Sequence, residues 1–217
     1  MVETSQAFRA TEAAGYYAND RAELVARLPR PLGRVLDVGC GAGEVGRALR
    51  AAGAASLTGV EVNATAAEAA RALFDEVLIG DVEALAREGE LDGPFETVVL
   101  YDVIEHLVDP AALLAAITPL VAAEGHIHVS VPNARHHSLV RDLVLRGTFG
   151  YTDWGHRDRT HLRWFTRRDL VQLLADGGWQ IADVTPSILG RNRLVDRVTL
   201  GRAREFLALQ WAVLAKR

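Results

Sequence analysis

The sequence has few of the features that mark secreted, membrane-spanning or nucleic-acid-binding proteins. Its 217 residues include a single cysteine, Cys40, so no intramolecular disulfide can form. No apolar run approaches the ~20 residues that a transmembrane helix needs, and the first residues lack the basic start and apolar core of a secretion signal. We therefore expect a cytoplasmic protein without a membrane partner.

An excess of positive charge is lacking as well. The 24 Lys and Arg residues stand against 28 Asp and Glu residues, which gives a formal net charge of -4. No overall positive field would attract a polyphosphate, so a nucleic-acid substrate is not expected. The length suits one substantial core. We expect a single domain over residues 1–217 that acts as a monomer or homodimer on a small molecule.

The chain alternates short apolar runs with longer helix-like runs from Arg34 onward. This alternation predicts βαβ units around a parallel sheet. The predicted strands are RVLDVG, SLTGVEV, EVLIGDV, FETVVLYD and HIHVSVP, followed later by WQIADVTPS and ALQWAVLAKR. A helical stretch, RNRLVDRVTLGRAREF, is expected between the last two. The predicted fold class is therefore α/β with seven strands.

The alternation stops after Pro132, and residues 133–165 read as a long irregular insertion. Such insertions in a compact domain are usually functional or disordered, and the aromatic residues of this one argue against disorder. We predict a lid over the substrate. The lid holds four of the seven histidines, namely His136, His137, His156 and His161. Tyr151, Trp154 and Trp164 either stack on a sugar or planar ring or pack the lid down.

The stretch VLDVGCGAGEVGRAL contains two overlapping glycine fingerprints. From Gly41 it reads G-A-G-E-V-G, a dinucleotide pattern, with Glu61 at about the ~20-residue distance of a ribose-binding acid. From Asp37 it reads D-V-G-C-G-A-G, with the acid at the carboxyl end of the first strand, where open α/β sheets bind ligands. A strand running to Gly41 would contain Asp37, Gly39 and Cys40, which form a poor end for an apolar strand. The second frame, which begins at Asp37, is therefore favoured.

The helix that follows this loop gives a second reason. Glu44 would lie in its first turn, where a negative charge repels the pyrophosphate of a dinucleotide. A nicotinamide-dependent oxidoreductase and a binding module without catalysis remain the alternatives.

Four segments in order resemble a class I S-adenosylmethionine-dependent methyltransferase of the small-molecule O-methyltransferase type. They are LDVGCGAG, GVEVN, GDVE and YDVIEHLVDP, and the resemblance covers roughly residues 30 to 185. It implies a Rossmann-like, seven-stranded, mostly parallel sheet with an antiparallel last strand and helices on both faces. It also implies an N-terminal cap helix within residues 1–30 and a lid after the fifth strand. The product would be S-adenosylhomocysteine.

The resemblance assigns cofactor-binding roles. Asp37 suits the ammonium group of the cofactor, and Glu61 can accept both ribose hydroxyls. The loop glycines allow close approach of the backbone to the methionine part, and Asp81 would accept from the adenine amino group. The full expected set is Asp37, Gly39, Cys40, Gly41, Gly43, Glu61, Val62, Asp81, Val82, Tyr101, Asp102 and, from the cap, Tyr17.

The segment DVIEHL predicts the catalytic residues. Asp102, Glu105 and His106 share one face if this segment forms a helical turn. This D-x-x-E-H resembles the E-x-x-E-H of metal-dependent ubiquinone-pathway and small-RNA 3′-end O-methyltransferases, with His161 as the matching later histidine. Two carboxylates and two imidazoles suit a divalent cation, although the first acid is the shorter Asp102 and the basic surface expected for RNA is lacking.

Two other interpretations of these residues stay open. In the first, His106 or His161 is a metal-free general base oriented by Glu105, and His156 joins the catalytic candidates. In the second, Glu105 and His106 only form hydrogen bonds at a helix end. The lid segment GTFGYTDWGHRDRTHLRWFT resembles methyltransferases of polysaccharide and secondary-metabolite gene clusters, so we expect a sugar or another small hydroxylated acceptor, with nitrogen as the less favoured target.

Overall fold

A computed structural model describes residues 21–153, 155–190 and 192–217. Its seven-stranded sheet has the order β3-β2-β1-β4-β5-β7-β6. Neighbouring strands β1, β2 and β3 are parallel, whereas β7 is antiparallel to both β5 and β6. The strands are β1 (Arg34–Val38), β2 (Ser56–Glu61), β3 (Glu76–Ile79), β4 (Phe95–Tyr101), β5 (Val121–Pro132), β6 (Gln180–Ser187) and β7 (Gln210–Lys216). The predicted fold class is confirmed.

Apart from α1, which precedes β1, the described α-helices lie between the strands in the expected alternation. They are α1 (Ala22–Val25), α2 (Glu44–Ala51), α3 (Ala64–Ala70), α4 (Val82–Glu88), α5 (Pro110–Ile117), α6 (His137–Arg146), α7 (Arg167–Asp176), α8 (Asn192–Val198) and α9 (Arg204–Leu207). Single 3-10 turns cover Ile104–His106, Thr118–Leu120 and Gly155–Arg157. Of the predicted N-terminal cap helix, the described residues contain only α1, and Tyr17 lies outside them.

Local sequence signals explain where several helices begin. Asp109 accepts hydrogen bonds from the first-turn amides of α5, and Pro110 occupies the first turn, where its fixed φ and missing N–H cost nothing. Thr166 and Asp169 form a reciprocal capping box at the start of α7, which satisfies two amides that the helix itself leaves unpaired. These side chains fix the ends of the helices without help from the core.

The predicted irregular insertion is partly wrong, because residues 137–146 form helix α6. Within HSLVRDLVLRG, the side chains of Leu139 and Asp142 are buried, three positions apart on one face of the helix. Gly147 ends the helix in a left-handed conformation with φ 64°, as glycine often does. Because many histidines and arginines surround this segment, the helical spacing of its buried residues is not evident from the sequence.

The chain groups into two compact units. One comprises Met1–Val99 with Pro119–Gly125, and the other comprises Leu100–Thr118 with His126–Arg217. The first unit contains β1, β2 and β3, whose parallel register pairs Val38 with Val60 and Glu61 with Ile79. The carboxyl ends of these three strands therefore lie at one edge. In the described part of the chain, no helix is both long enough and apolar enough to cross a membrane.

Candidate functional site

The loop after β1 is a glycine turn anchored to β2. The amides of Gly39 and Cys40 both donate to the carbonyl of Val60, at 2.8 and 3.1 Å. Gly39, Gly41 and Gly43 have φ values of 71°, 55° and 94°, a left-handed region that only glycine adopts without strain. The chain thus reverses tightly after β1 and leads directly into α2.

Asp37 lies at the carboxyl end of β1 and is buried, with 2% of its surface exposed. Its Oδ2 accepts no hydrogen bond from any part of the chain that the structure describes. Burial, and secondarily the nearby negative charge of Glu61, raise the pKa of Asp37 to about 8. An unpaired buried carboxyl oxygen is costly, so this position fits a cationic donor such as the ammonium group of S-adenosylmethionine.

Glu61 ends β2 and holds two loops in place. Its Oε2 accepts from the Gly41 amide at 2.9 Å, and its Oε1 accepts from the Asn63 amide at 2.8 Å. A carboxylate oxygen can accept more than one hydrogen bond, so both oxygens keep capacity for the ribose hydroxyls. The contact with Gly41 also makes Glu61 part of the glycine loop, a structural role that spacing alone does not reveal.

We expect Glu61→Ala to weaken binding of the cofactor by ~1–3 kcal/mol and to lower the free energy of unfolding by a similar amount. The reason is that two partly or fully buried backbone amides would lose their acceptor. Isothermal titration with S-adenosylmethionine and urea denaturation measure the two effects. Glu61→Gln keeps one carbonyl acceptor and is the control; an Ala variant with wild-type affinity would exclude Glu61 from cofactor binding.

Asp81 follows β3 and caps helix α4. Its Oδ1 accepts from the amides of Glu83 and Ala84, at 2.7 and 3.1 Å. Val82, the first residue of α4, is buried, whereas the side chain of Val62 is 75% exposed. The structural role of Asp81 as a helix cap is therefore established, and its contact with the adenine amino group stays a prediction.

The two roles of Asp81 can be separated by substitution. Asp81→Ala removes the cap, and we expect a loss of ~1 kcal/mol in the free energy of unfolding together with weaker cofactor binding. Asp81→Ser keeps a capping oxygen but is too short for adenine, so it should retain stability and still lose affinity. Thermal denaturation and titration calorimetry of both variants test this; equal affinities for Asp81→Ser and the wild type would leave the cap as the only role.

Cys40 is buried beside the second strand. A Cβ added at Gly59 would lie 2.7 Å from the Cys40 Sγ, so the thiol fills the space that Gly59 leaves. Burial, with the negative charges of Asp37 and Glu61, raises the pKa of the Cys40 thiol. A thiol kept protonated in this way is a packing group and not a nucleophile.

Three of the predicted catalytic side chains meet in the second unit. Glu105, His106 and His161 each offer a ligand atom, and these atoms lie within 4.8 Å of one another. The His106 and His161 rings are edge to face, with centroids 4.8 Å apart. Glu105 is 1% exposed and His161 is 5% exposed. One carboxylate and two imidazoles in this arrangement suit a divalent cation such as Zn²⁺, Fe²⁺ or Mn²⁺.

Backbone hydrogen bonds hold the two segments of this cluster together. The carbonyl of Glu105 accepts from the amides of Leu162 and Arg163, at 2.8 and 3.0 Å. The hydroxyl of Thr160 also lies 3.2 Å from the His106 Nδ1. The 3-10 turn after β4 and the segment before α7 are therefore docked at three points, although more than 50 residues separate them along the chain.

The electrostatics of the cluster keep both imidazoles neutral. Burial lowers the pKa of His106, an effect that the negative charge of Asp158 partly offsets. Burial and the neighbouring His106 lower the pKa of His161 to about 4. A neutral imidazole is the form that binds a metal or accepts a proton, so both rings are ready for either role at neutral pH.

Asp102 is not one of the three converging groups, although its negative charge raises the pKa of His106. The 3-10 turn begins at Ile104, and Asp102 precedes it in a left-handed conformation with φ 58°, so the predicted helical turn over all of DVIEHL does not form. Instead, the Asp102 Oδ1 accepts from the Gln210 side chain at 2.7 Å. The neighbouring Tyr101 is buried, and its hydroxyl lies 2.8 Å from the His128 Nδ1. His128 is thus a buried structural histidine.

His156 belongs to a second histidine cluster. Its Nε2 lies 3.1 Å from the Ser138 hydroxyl, which lies 2.9 Å from the His136 Nδ1. Arg157 joins this cluster to α6, since its guanidinium donates to the carbonyl of Ser138 and to the carboxylate of Asp142. These contacts explain how the end of the lid packs on α6, and a catalytic role for His156 stays a prediction.

Three described aromatic residues of the lid form one patch. The Phe149 ring lies 4.7 Å from the Tyr151 ring and 5.3 Å from the Trp164 ring, measured between centroids. Tyr151 is 54% exposed and Trp164 is 40% exposed. Both predicted functions, packing and stacking, are therefore compatible with this patch; Trp154 lies outside the described residues.

Asp158 and Thr160 lie beside the cluster of Glu105, His106 and His161 and are not among the residues predicted from the sequence. The Asp158 Oδ1 accepts from the Thr160 amide at 2.8 Å and from its hydroxyl at 2.7 Å. The spacing D-x-T is a common signal for such a turn, and it precedes His161 directly. The same spacing carries no sign of the contact with His106, which depends on the tertiary fold.

Comparison with known proteins gives a consistent result. A family model described as a methyltransferase domain matches residues 9–184. A ubiquinone biosynthesis O-methyltransferase of Neisseria meningitidis is 31% identical over 161 residues, which cover 69% of this chain and 65% of that protein. One of Thiobacillus denitrificans is 31% identical over 138 residues, covering 58% and 59% of the two chains. The aligned part thus spans about three fifths of that relative.

Solved structures of the same fold are more distant in sequence. An S-adenosylmethionine-dependent methyltransferase from Mesorhizobium loti superposes with a TM-score of 0.63 at 18% identity, over 94% of this chain and all of that one. Another from Archaeoglobus fulgidus gives a TM-score of 0.63 at 19% identity, over 94% and 96%. At this identity the likeness concerns the fold.

Proposed function

The chain belongs to the methyltransferase domain family, and on this basis we propose that it transfers the methyl group of S-adenosylmethionine to an oxygen of a small molecule. The observation that carries the proposal is Asp37, a buried carboxyl whose Oδ2 lacks a hydrogen-bond donor in the described part of the chain. The glycine loop beside it lets a ligand approach the backbone. An ammonium group would satisfy this oxygen and restore the ionised form of Asp37.

S-adenosylmethionine supplies a methyl group that is already activated by its sulfonium centre. Asp37 would hold the ammonium group, Glu61 the ribose hydroxyls, and Asp81 with the Val82 amide the adenine. The main contribution of the chain is then to position the acceptor against the methyl group. The alternative of a nicotinamide cofactor is not favoured, because Glu44 lies in the first turn of α2, where it would repel a pyrophosphate.

Two observations support an oxygen acceptor. The relatives named above are O-methyltransferases of ubiquinone biosynthesis. The cluster of Glu105, His106 and His161 contains groups that can take up the proton of a hydroxyl. We propose His106 as the general base, because the pKa of His161 is lowered to about 4, which makes His161 a weak base at neutral pH.

A metal-assisted reaction is the second candidate, favoured by the convergence of one carboxylate and two neutral imidazoles within 4.8 Å. A divalent cation held by Glu105, His106 and His161 would lower the pKa of the acceptor hydroxyl. Asp102, bound to Gln210, is not one of these three groups. The chemistry of the donor set fits such a cation, and chelation distinguishes this candidate from the metal-free base.

The acceptor that fits best is a planar or sugar-like hydroxylated molecule. The exposed rings of Tyr151 and Trp164 offer apolar faces on which such a molecule could stack. We further propose a secondary-metabolite or polysaccharide precursor as the acceptor. The chain would act in the cytoplasm as one domain, monomeric or homodimeric, without nucleic acid; the single cysteine and the net charge of -4 support these points.

Ligand titration and turnover test the proposal. In calorimetry, S-adenosylmethionine should bind and NAD⁺ and NADP⁺ should not. With methyl-labelled cofactor, label should then pass to an ortho-diphenol or a monosaccharide, and mass spectrometry should place it on oxygen. Binding of a nicotinamide dinucleotide alone would overturn the proposal. Tight binding of S-adenosylmethionine with no transfer to phenolic, sugar or amine acceptors would favour a binding module.

A further inference from the structure

Asp158 and Thr160 form a short hydrogen-bonded chain that ends on His106. The Thr160 hydroxyl donates to the Asp158 Oδ1 at 2.7 Å and lies 3.2 Å from the His106 Nδ1. Asp158 is 5% exposed, and the same Oδ1 also accepts from the Thr160 amide at 2.8 Å. Thr160 is therefore held by two hydrogen bonds to a buried carboxylate, one from its hydroxyl and one from its backbone amide.

The number of protons that Asp158, Thr160 and His106 share determines which nitrogen of the His106 ring is protonated. A threonine hydroxyl has one proton, and a carboxylate only accepts. Since the hydroxyl proton of Thr160 is given to Asp158, the Thr160 Oγ1 can only accept from the His106 ring, which also forms a hydrogen bond with the backbone of Thr160. We infer that Asp158 and Thr160 are positioning residues that fix neutral His106 as its Nδ1–H tautomer, with the lone pair on Nε2.

Hydrogen bonds of the local backbone hold Asp158 and Thr160 in place beside His106. The His161 amide donates to the carbonyl of Asp158 at 3.2 Å, so one turn places both the Thr160 hydroxyl and the His161 ring beside His106. The carbonyl of Glu105 accepts from the next two amides along the chain. Any movement of the turn at Asp158–His161 relative to the 3-10 turn at Ile104–His106 would therefore break several hydrogen bonds at once.

The consequence for the reaction concerns which nitrogen is reactive. With Nδ1 protonated, only Nε2 can accept the proton of an acceptor hydroxyl or bind a cation. Some residues orient an imidazole through the nitrogen that does not react. Removal of such a residue typically lowers activity or metal affinity by 10- to 100-fold. This consequence rests on the proposed function, whereas the tautomer itself does not.

Nitrogen NMR of the imidazoles tests the tautomer without any turnover. At pH 7.5, long-range ¹H–¹⁵N correlations of histidine-labelled protein should show His106 as the neutral Nδ1–H form. In Thr160→Val, an isosteric variant without the hydroxyl, we expect a shift toward the Nε2–H form. Thr160→Ser should restore the wild-type pattern, and Thr199→Val, whose hydroxyl bonds only to backbone carbonyls, should not alter it.

Activity measurements then test the consequence. With a confirmed acceptor, Thr160→Val should lower kcat about 10- to 100-fold while the affinity for S-adenosylmethionine stays unchanged, and Thr160→Ser should recover most of it. An Nε2–H or doubly protonated His106 in the wild type would overturn the inference, as would an unchanged tautomer in a folded Thr160→Val protein. If no acceptor is methylated, the proposed function fails and the tautomer result still stands by itself.

Discussion

Replacing His161 by alanine is expected to reduce methyl transfer by ~10²- to 10⁴-fold, the usual contribution of a positioned acid–base group, while binding of S-adenosylmethionine persists. His161 lies against His106 with ring centroids 4.8 Å apart. Its loss would remove a metal ligand in one candidate mechanism and, in the other, the imidazole that packs against the base His106. The decrease should appear in kcat and not in the affinity for the cofactor.

The controls separate catalysis from folding. His161 is buried, so His161→Gln, which keeps a polar side chain of similar reach, accompanies the alanine variant in thermal denaturation and calorimetry. His137→Ala removes an exposed histidine from the same region and should leave turnover intact. Wild-type turnover in folded His161→Ala would exclude the metal mechanism and would leave His106 as a base that needs no neighbouring imidazole.

Chelation distinguishes the two mechanisms. If Glu105, His106 and His161 hold a divalent cation, EDTA should abolish turnover, and Mg²⁺, Mn²⁺ or Zn²⁺ should restore it. Turnover that is indifferent to EDTA, together with a loss in His106→Ala, would leave the metal-free base. Glu105→Gln should be severe in the first case, because it removes the negative ligand, and milder in the second.

Asp37 should make the stability of the cofactor-free protein fall as the pH rises from about 4 to about 8. Its pKa in the folded protein is raised to about 8, above the usual value near 3.9 of an unfolded chain. A group with a raised folded pKa binds its proton more tightly when folded. Its stabilising effect is therefore complete below the unfolded pKa and is lost by the folded one, with a slope of up to ~1.4 kcal/mol per pH unit.

The test is the difference between the wild type and Asp37→Asn. Urea denaturation from pH 5 to pH 8.5 should give the variant a flatter pH dependence and, at pH 8, a free energy of unfolding higher by several kcal/mol. Parallel curves for the two proteins would contradict the raised pKa. Comparison of the two curves cancels the contributions of the titrating groups that do not interact with Asp37.

Binding of the cofactor provides a second measurement on Asp37. An ammonium group beside the carboxyl favours its ionised form, so binding at pH 7 should release protons. Titration in buffers of different ionisation enthalpy would detect this release, and Asp37→Asn should abolish it and bind more weakly. A binding enthalpy that is the same in every buffer would place the ammonium group elsewhere.

The sequence by itself determined the parallel half of the sheet and the residues at its edge. Short apolar runs, glycine spacing and the acids of LDVGCGAG and GVEVN are local signals, because strand periodicity and left-handed turns involve neighbouring residues only. Asp37 and Glu61 lie where those signals predict, at the carboxyl ends of β1 and β2. The family followed from the same segments, and the match over residues 9–184 confirms it.

The tertiary structure alone decided which polar groups meet. The Asp102 carboxylate accepts from Gln210, 108 positions along the chain, and the backbone carbonyl of Glu105 accepts from the amides of Leu162 and Arg163. Such contacts depend on how distant segments pack, and no local period encodes them. For the same reason the raised pKa of Asp37 is a property of burial and not of the residue, because the removal of water from a carboxyl exists only once the fold encloses it.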